Sequence, residues 1–216
     1  MRHDIQKMII DFDDTLFHAY RFKRMLCESA NRFGFSKEEF WSTYKQTRDS
    51  RHGMLSYTFA RHAENLYALH SDFATAQELE NAFKNVLENE NFVFDDAPAF
   101  LNFLKNQGKT LILLSLGDPV FQNNKVVKSG LAHFFDHIEF VDTNKLNVIP
   151  DLVDEREPVY FLNDKVLETK EIFEHYPHWF PLVRERADYS LNDYEESGMP
   201  SFKNLAAVQD YLIQHH

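Results

Sequence analysis

One cysteine, Cys27, stands in a chain of 216 residues. No disulfide can therefore form within it, which suits a reducing compartment such as the cytoplasm. Cys27 lies in an apolar helical pattern with no site residues beside it, so it reads as a small buried hydrophobe. Glycine is scarce, 6 residues against 21 phenylalanines, which points to an aromatic core. Long apolar runs are missing. The longest, Leu111 to Leu114, is far short of the roughly 20 residues a membrane helix needs. The apolar run near the N-terminus is too short for a secretory signal and ends in acids. Basic residues are outnumbered, 23 Lys and Arg against 34 Asp and Glu, for a net charge of -11. That deficit disfavours nucleic-acid backbones and anionic lipid as partners. The remaining composition, 44% hydrophobic and 26% charged, is that of an ordinary soluble globular protein.

The residues that are present centre on Lys7 to Phe17, KMIIDFDDTLF. Met8, Ile9 and Ile10 read as a short buried strand. Asp11, Asp13 and Asp14 cannot continue into a core, because burying unpaired charge is too costly. They belong where the strand emerges, the edge at which open parallel sheets bind ligands. The alternate acids Asp11 and Asp13 could hold one hard cation; a plain acidic turn is the alternative. A helix-loop-helix calcium site is excluded, since Leu16 and Phe22 stand where Gly and Glu are required.

Residues 18–90 read as four helices. Apolar residues recur at helical spacing over 19–33 up to Gly34; Ser36 to Glu39 is a capping box; Tyr57 to Leu69 and Ala76 to Leu87 come next. From Phe92 strands and helices alternate. Helices are predicted from Asp96-Ala97-Pro98 to Gly108, from Pro119 to Ser129, from Lys165 to His175 and from Phe202 to Ile213. Strands are predicted at Thr110 to Leu114, His137 to Val141, Val159 to Leu162 and Phe180 to Val183. Residues 186–201 read as a polar surface loop. Alternation of this kind means a parallel sheet with helices on both faces, an α/β Rossmann-like core. The expected division is a core of residues 1–17 and 91–216, with an all-helical cap domain of residues 18–90.

The strand ends carry chemistry. Asp11 and Asp13 stand after the first, Ser115 after the second, Asp142 and Lys145 after the third, Asn163 and Asp164 after the fourth. Singly, Ser115 could start a turn, Lys145 could be solvated and Asp164 could cap a helix. Together they place acid, hydroxyl, lysine and acid on one sheet edge.

Their order resembles the haloacid dehalogenase-like superfamily of hydrolases over nearly the whole chain. Asp11, Asp13 and Thr15 match its Asp-x-Asp-x-Thr motif, Ser115 its strand-ending hydroxyl, and Lys145 its lone lysine. Lys125 and Lys128 are rivals for that lysine, read as exposed on their helix. The acidic motif is matched by Asn163-Asp164 with Glu168, a departure in which Asn163 replaces glycine and Glu168 replaces aspartate.

The resemblance implies a phosphatase acting on a small phosphorylated metabolite. Asp11 would be the nucleophile, forming an aspartyl-phosphate, and Asp13 the acid and base. Mg²⁺ would join Asp11, the main-chain carbonyl of Asp13, and Asp164. Ser115, the amide of Leu116 and Lys145 would hold phosphate, with Thr15, Asn163 and Glu168 orienting. Dehalogenase members act on carbon and lack the second aspartate, so Asp13 favours phosphoryl transfer. A cap inserted after the first motif implies closure over the site. His18, Tyr20, Arg21, Arg24, Arg48, Arg51 and His52 are the cap residues that could face substrate, although a charged or polar residue on a short helix is usually just exposed. A sugar phosphomutase, a non-catalytic regulatory protein and a phospho-accepting signalling domain are the rival readings. Oligomeric state is not legible.

Overall fold

The computed structural model describes residues 5–49, 53–186 and 189–215. Six parallel strands form one sheet in the order β3-β2-β1-β4-β5-β6. They are β1 (Lys7–Ile10), β2 (Thr110–Leu116), β3 (His137–Val141), β4 (Val159–Asn163), β5 (Phe180–Arg184) and β6 (Ser201–Phe202). Four helices form the insertion after β1: α1 (Ala19–Asn31), α2 (Lys37–Arg48), α3 (Phe59–Leu69) and α4 (Ala76–Asn89). The others are α5 (Ala97–Asn106), α6 (Pro119–Ser129), α7 (Ile149–Leu152), α8 (Val166–His175), α9 (Leu191–Glu195) and α10 (Leu205–His215). None of the described helices is long and apolar enough to cross a membrane.

Strand pleat divides the core. Met8 and Ile10, with Leu111 and Leu113, face one side and pack with Leu101 and Leu104 of α5 and Leu205 and Val208 of α10. Ile9, Ile112 and Phe161 face the other and pack with Ile149 of α7 and Ile172 of α8. Each such fully buried side chain is worth about 1.5–3 kcal/mol. Burial on both faces explains why these strands read as unbroken apolar runs.

Register sets the site. Ile10 pairs with Leu113 on one side and Leu162 on the other. β4 ends one residue and β2 three residues beyond the level of Ile10, and the residues at these ends gather at one edge of the sheet, with those of β1 in the middle.

The chain enters and leaves the helical insertion at one crossing. His18 N–H donates to Phe92 O at 2.7 Å, and Phe94 N–H to Leu16 O at 3.0 Å. Phe17, Phe22 and Phe92 pack ring against ring around this crossing. From there the first core cluster runs on into α3 and α4 through Phe59 and Phe83. The capping box at Ser36 and Glu39 forms, and a second one at Thr75 and Glu78 starts α4.

Four expectations need correction. β2 runs on through Ser115 to Leu116. Asp96 makes no side-chain cap for α5; it accepts from the Leu205 and Ala206 amides at 2.8 and 3.3 Å, so it caps α10. Residues 186–201 are not merely a loop. They contain α9 and the start of β6, which pairs parallel with β5. The last helix begins at Leu205, because Phe202 is in that strand.

Candidate active site

The chain turns sharply after β1. The amides of Leu16 and Phe17 both donate to Phe12 O at 2.9 Å. Asp14 takes a left-handed conformation, φ +58°, which aspartate tolerates better than most residues. Its side chain accepts the Tyr20 amide at 2.9 Å at the start of α1. Arg184, from the end of β5, donates to Asp14 O at 3.0 Å. This wound loop turns Asp11 and Asp13 into one cavity.

Two buried lysines divide the acids between them. Lys145 is fully buried and donates to Asp11 Oδ1 at 2.6 Å and Glu168 Oε2 at 2.7 Å. Burial opposes its charge, but Asp11 and Glu168 outweigh it and hold the ammonium above the usual lysine range. Asp11 also accepts from Thr15 Oγ1 at 3.2 Å. Burial nevertheless raises the Asp11 carboxyl, only partly offset by Lys145. Lys125 is not the exposed residue expected on α6. It is 3% exposed and donates to both oxygens of Asp13, at 2.5 and 2.6 Å. Gln122 Nε2 adds a third bond to Asp13, at 2.9 Å. Burial works against ionised Asp13, but Lys125 and Lys23 outweigh it and lower its pKa. Lys128 is exposed, as expected.

Beyond β4, Asp164 is buried. Arg186 donates to its Oδ2 at 2.8 Å, and its Oδ1 has no hydrogen-bond partner. Burial, then the charge of Asp11, pushes its carboxyl up to about 7. Glu168 is turned to Lys145, from which it accepts, and at 2.9 Å it accepts from Asn163 Nδ2 as well. Burial opposes its charge, but Lys145 and Lys165 bring it down to about 2. Asn163 also donates to Thr169 Oγ1 at 3.1 Å, which ties the end of β4 to α8. The departures at 163 and 168 thus form a hydrogen-bonded clamp on Lys145.

Asp11, Asp13, Leu116 and Asp164 line one cavity of about 300 Å³. Lys145 lies directly behind Asp11. Ser115 is fully buried, its hydroxyl without a partner, one residue short of the wall formed by Leu116 and Gly117. Of the helical residues that could face substrate, Arg48 lines the cavity. His18 stacks on Phe94, Arg21 pairs with Glu90, Arg24 with Glu28, and Tyr20 is exposed. Arg51 and His52 lie outside the described residues. Sequence reasoning did not single out Lys23, Tyr44, Tyr57, Gln122, Lys165 or Arg186, which also line it. Gln122 and Lys125 are three apart on α6, a spacing that marks one helix face. No strand-end signal marks Arg186. Among the described residues, no three His, Cys, Asp or Glu side chains form a ready-made metal cluster.

The family model described as haloacid dehalogenase-like hydrolase matches residues 7–161. No curated protein matches by sequence. Solved structures are similar over nearly full length. The L-2-haloacid dehalogenase of Xanthobacter autotrophicus is 14% identical, with 98% of this chain and 100% of that one covered and a TM-score of 0.65. A predicted phosphatase from Clostridium acetobutylicum is 15% identical, with coverage of 97% and 99% and a TM-score of 0.61. A Bacillus subtilis protein described as a HAD-hydrolase, bound to magnesium, is 14% identical, with coverage of 96% and 98% and a TM-score of 0.64. Identities this low establish a shared fold and leave the reaction open.

Proposed function

The chain belongs to the haloacid dehalogenase-like hydrolases, and within that family we propose that it is a Mg²⁺-dependent phosphatase of small phosphate monoesters. Asp13 carries the reading. A halide leaves as a stable anion and needs no proton, whereas an alkoxide leaving phosphorus needs one. A second carboxylate in the cavity of Asp11, held by Lys125 and Gln122, supplies it.

Asp11 is the nucleophile. Lys145 and Thr15 each fix one of its oxygens, which sets the direction of attack on phosphorus and yields an aspartyl-phosphate. Asp13 protonates the departing oxygen, then takes a proton from the water that cleaves the acyl-phosphate. When phosphate enters, Lys125 can shift its pairing from Asp13 to a phosphoryl oxygen, which frees Asp13 to carry the proton. Ser115 Oγ and the Leu116 amide provide further donors at the end of β2.

The residues present fit one divalent cation. Asp164 Oδ1 is buried without a partner, and the charge of nearby Asp11 destabilises its ionised form. Asp11, Asp164 and the main-chain carbonyl of Asp13 would hold it. Bound there, Mg²⁺ would neutralise the acids against the incoming dianion and polarise the phosphoryl group. Helices α1 to α4 act as a cap over the cavity, whose volume is at the small end for ligand pockets. That size favours a small phosphorylated metabolite over a macromolecule.

The test is hydrolysis of an aryl phosphate with Mg²⁺ and with chelator. Turnover should require the metal, and Asp11→Asn should lower kcat by about 10⁴-fold or more. Equal rates for the two proteins would refute the reading.

A further inference from the structure

Among the described residues that line the cavity, one cation makes no direct bond to a carboxylate. Arg48, Lys125 and Arg186 each pair with a carboxylate, on Asp49, Asp13 and Asp164 respectively. Lys165 lies 3.9 Å from Glu168. Lys23, projecting from α1 into the same cavity, makes no hydrogen bond or ion pair with any described residue. It is half-buried, in a cavity also lined by Phe22 and Tyr44. Asp13 and Asp14 attract it from beyond bonding distance, which leaves its N–H donors open to an anion in the cavity. Burial disfavours its charge, but Tyr44 and the acids Asp13 and Asp14 outweigh it, so Lys23 enters the reaction charged.

Its position decides what that anion is. Lys125 and the end of β2 surround the phosphoryl position beside Asp11. Lys23 stands on α1 of the helical insertion, whereas the phosphoryl donors stand on β2 and α6; a leaving group held between core and insertion lies on the Lys23 side. The cavity, about 300 Å³, has room for a short leaving group only.

Resting on the phosphatase reading, we propose that Lys23 recognises a second anionic group on the leaving alcohol, so that the substrate class is small phosphate monoesters bearing a carboxylate or second phosphate. Lys23 touches that group and takes no part in bond making. It determines specificity.

Three esters with one two-carbon skeleton test this: 2-phosphoglycolate, 2-hydroxyethyl phosphate and phosphoethanolamine. The kcat/KM order should be carboxylate, then hydroxyl, then ammonium, with about 10- to 100-fold between the first two. Lys23→Met should remove that preference, lowering kcat/KM for 2-phosphoglycolate about 10-fold or more beyond any change it causes for 2-hydroxyethyl phosphate. A bisphosphate of similar length, compared with its monophosphate, distinguishes phosphate from carboxylate as the favoured second anion. Calorimetry on Asp11→Asn, which cannot be phosphorylated, separates recognition from catalysis. Tighter binding of 2-phosphoglycolate than of the hydroxyl ester, abolished by adding Lys23→Met, supports the inference even if no ester is hydrolysed, in which case only the phosphatase reading falls. Turnover of all three esters without a charge preference, or a preference unchanged in Lys23→Met, overturns it.

Discussion

Lys125 Nζ reaches from α6 to both carboxylate oxygens of Asp13, at 2.5 and 2.6 Å, and so ties the loop after β1 to the helix after β2. Removing one member of a buried pair strands the other, at about 3–5 kcal/mol when burial is complete. The Asp13 side chain keeps 28% exposure, which reduces the effect. Lys125→Met should therefore destabilise the fold by about 1–3 kcal/mol. Lys125→Met combined with Asp13→Asn should recover about 1 kcal/mol or more of that loss. Urea unfolding of both single variants and the double variant measures the coupling. A double variant as unstable as the sum of the singles would mean that the two charges do not sense each other.

Gly117 protects the same contact. It has φ +153°, and a Cβ built on it would sit 2.7 Å from Gln122 Nε2, the atom that donates to Asp13. Gly117→Ala combines a strained backbone with a clash, at about 1–3 kcal/mol. Gln122 must also withdraw from Asp13, so kcat should fall along with Tm. Parallel calorimetric scans and kinetics would show both; an unchanged kcat would mean that the Gln122 contact is dispensable.

The strand-borne part of this site was legible because burial on both faces makes strands continuous apolar runs, and the first polar residue after each run marks the edge. Asp11, Ser115 and Asn163, with Asp164 next to it, stand out by that rule. Lys125 does not, because whether a helical lysine faces water or a carboxylate depends on how the helix packs. Arg186 was hidden for another reason. It lies just past β5 in a stretch rich in polar residues, and the two-residue β6 that orders this stretch is too short to leave a period-two pattern. Asp96 precedes a helix with an early proline, yet its carboxylate faces the amides of α10, a contact spanning 109 positions that no local pattern encodes.

Asp164 is the residue through which metal dependence should be visible. Among the described residues, its Oδ1 is the one carboxylate oxygen in the cavity that is buried without a partner. Asp164→Ala should raise the half-saturating Mg²⁺ concentration by at least about 10–100-fold, since even partners outside the coordination sphere have effects of that size. Arg186 loses a partner in the same variant, so Mg²⁺ binding should also be followed directly by calorimetry. An unchanged affinity would remove Asp164 from the metal-binding set.

His62 makes stability depend on pH from within the helical insertion. It is fully buried, with Nε2 3.0 Å from Thr43 Oγ1 and Nδ1 2.9 Å from the Tyr57 hydroxyl. Thr43 already donates its proton to Glu39 O, so His62 donates from Nε2 and accepts the Tyr57 proton at Nδ1. Burial lowers its pKa to about 3. In the unfolded chain the imidazole takes a proton near pH 6.5. Between these values the unfolded state binds one more proton, so stability is complete above about pH 6.5 and declines as pH falls. The slope is about 1.4 kcal/mol per unit, or about 2 kcal/mol by pH 5. His62→Gln should be less stable than the parent at pH 7.5, and the gap should narrow by about 2 kcal/mol at pH 5. Urea unfolding at a series of pH values tracks this difference, with acids common to both proteins cancelling. Parallel curves would mean that the folded protein protonates His62 as readily as the unfolded one, which its contacts with Thr43 and Tyr57 oppose.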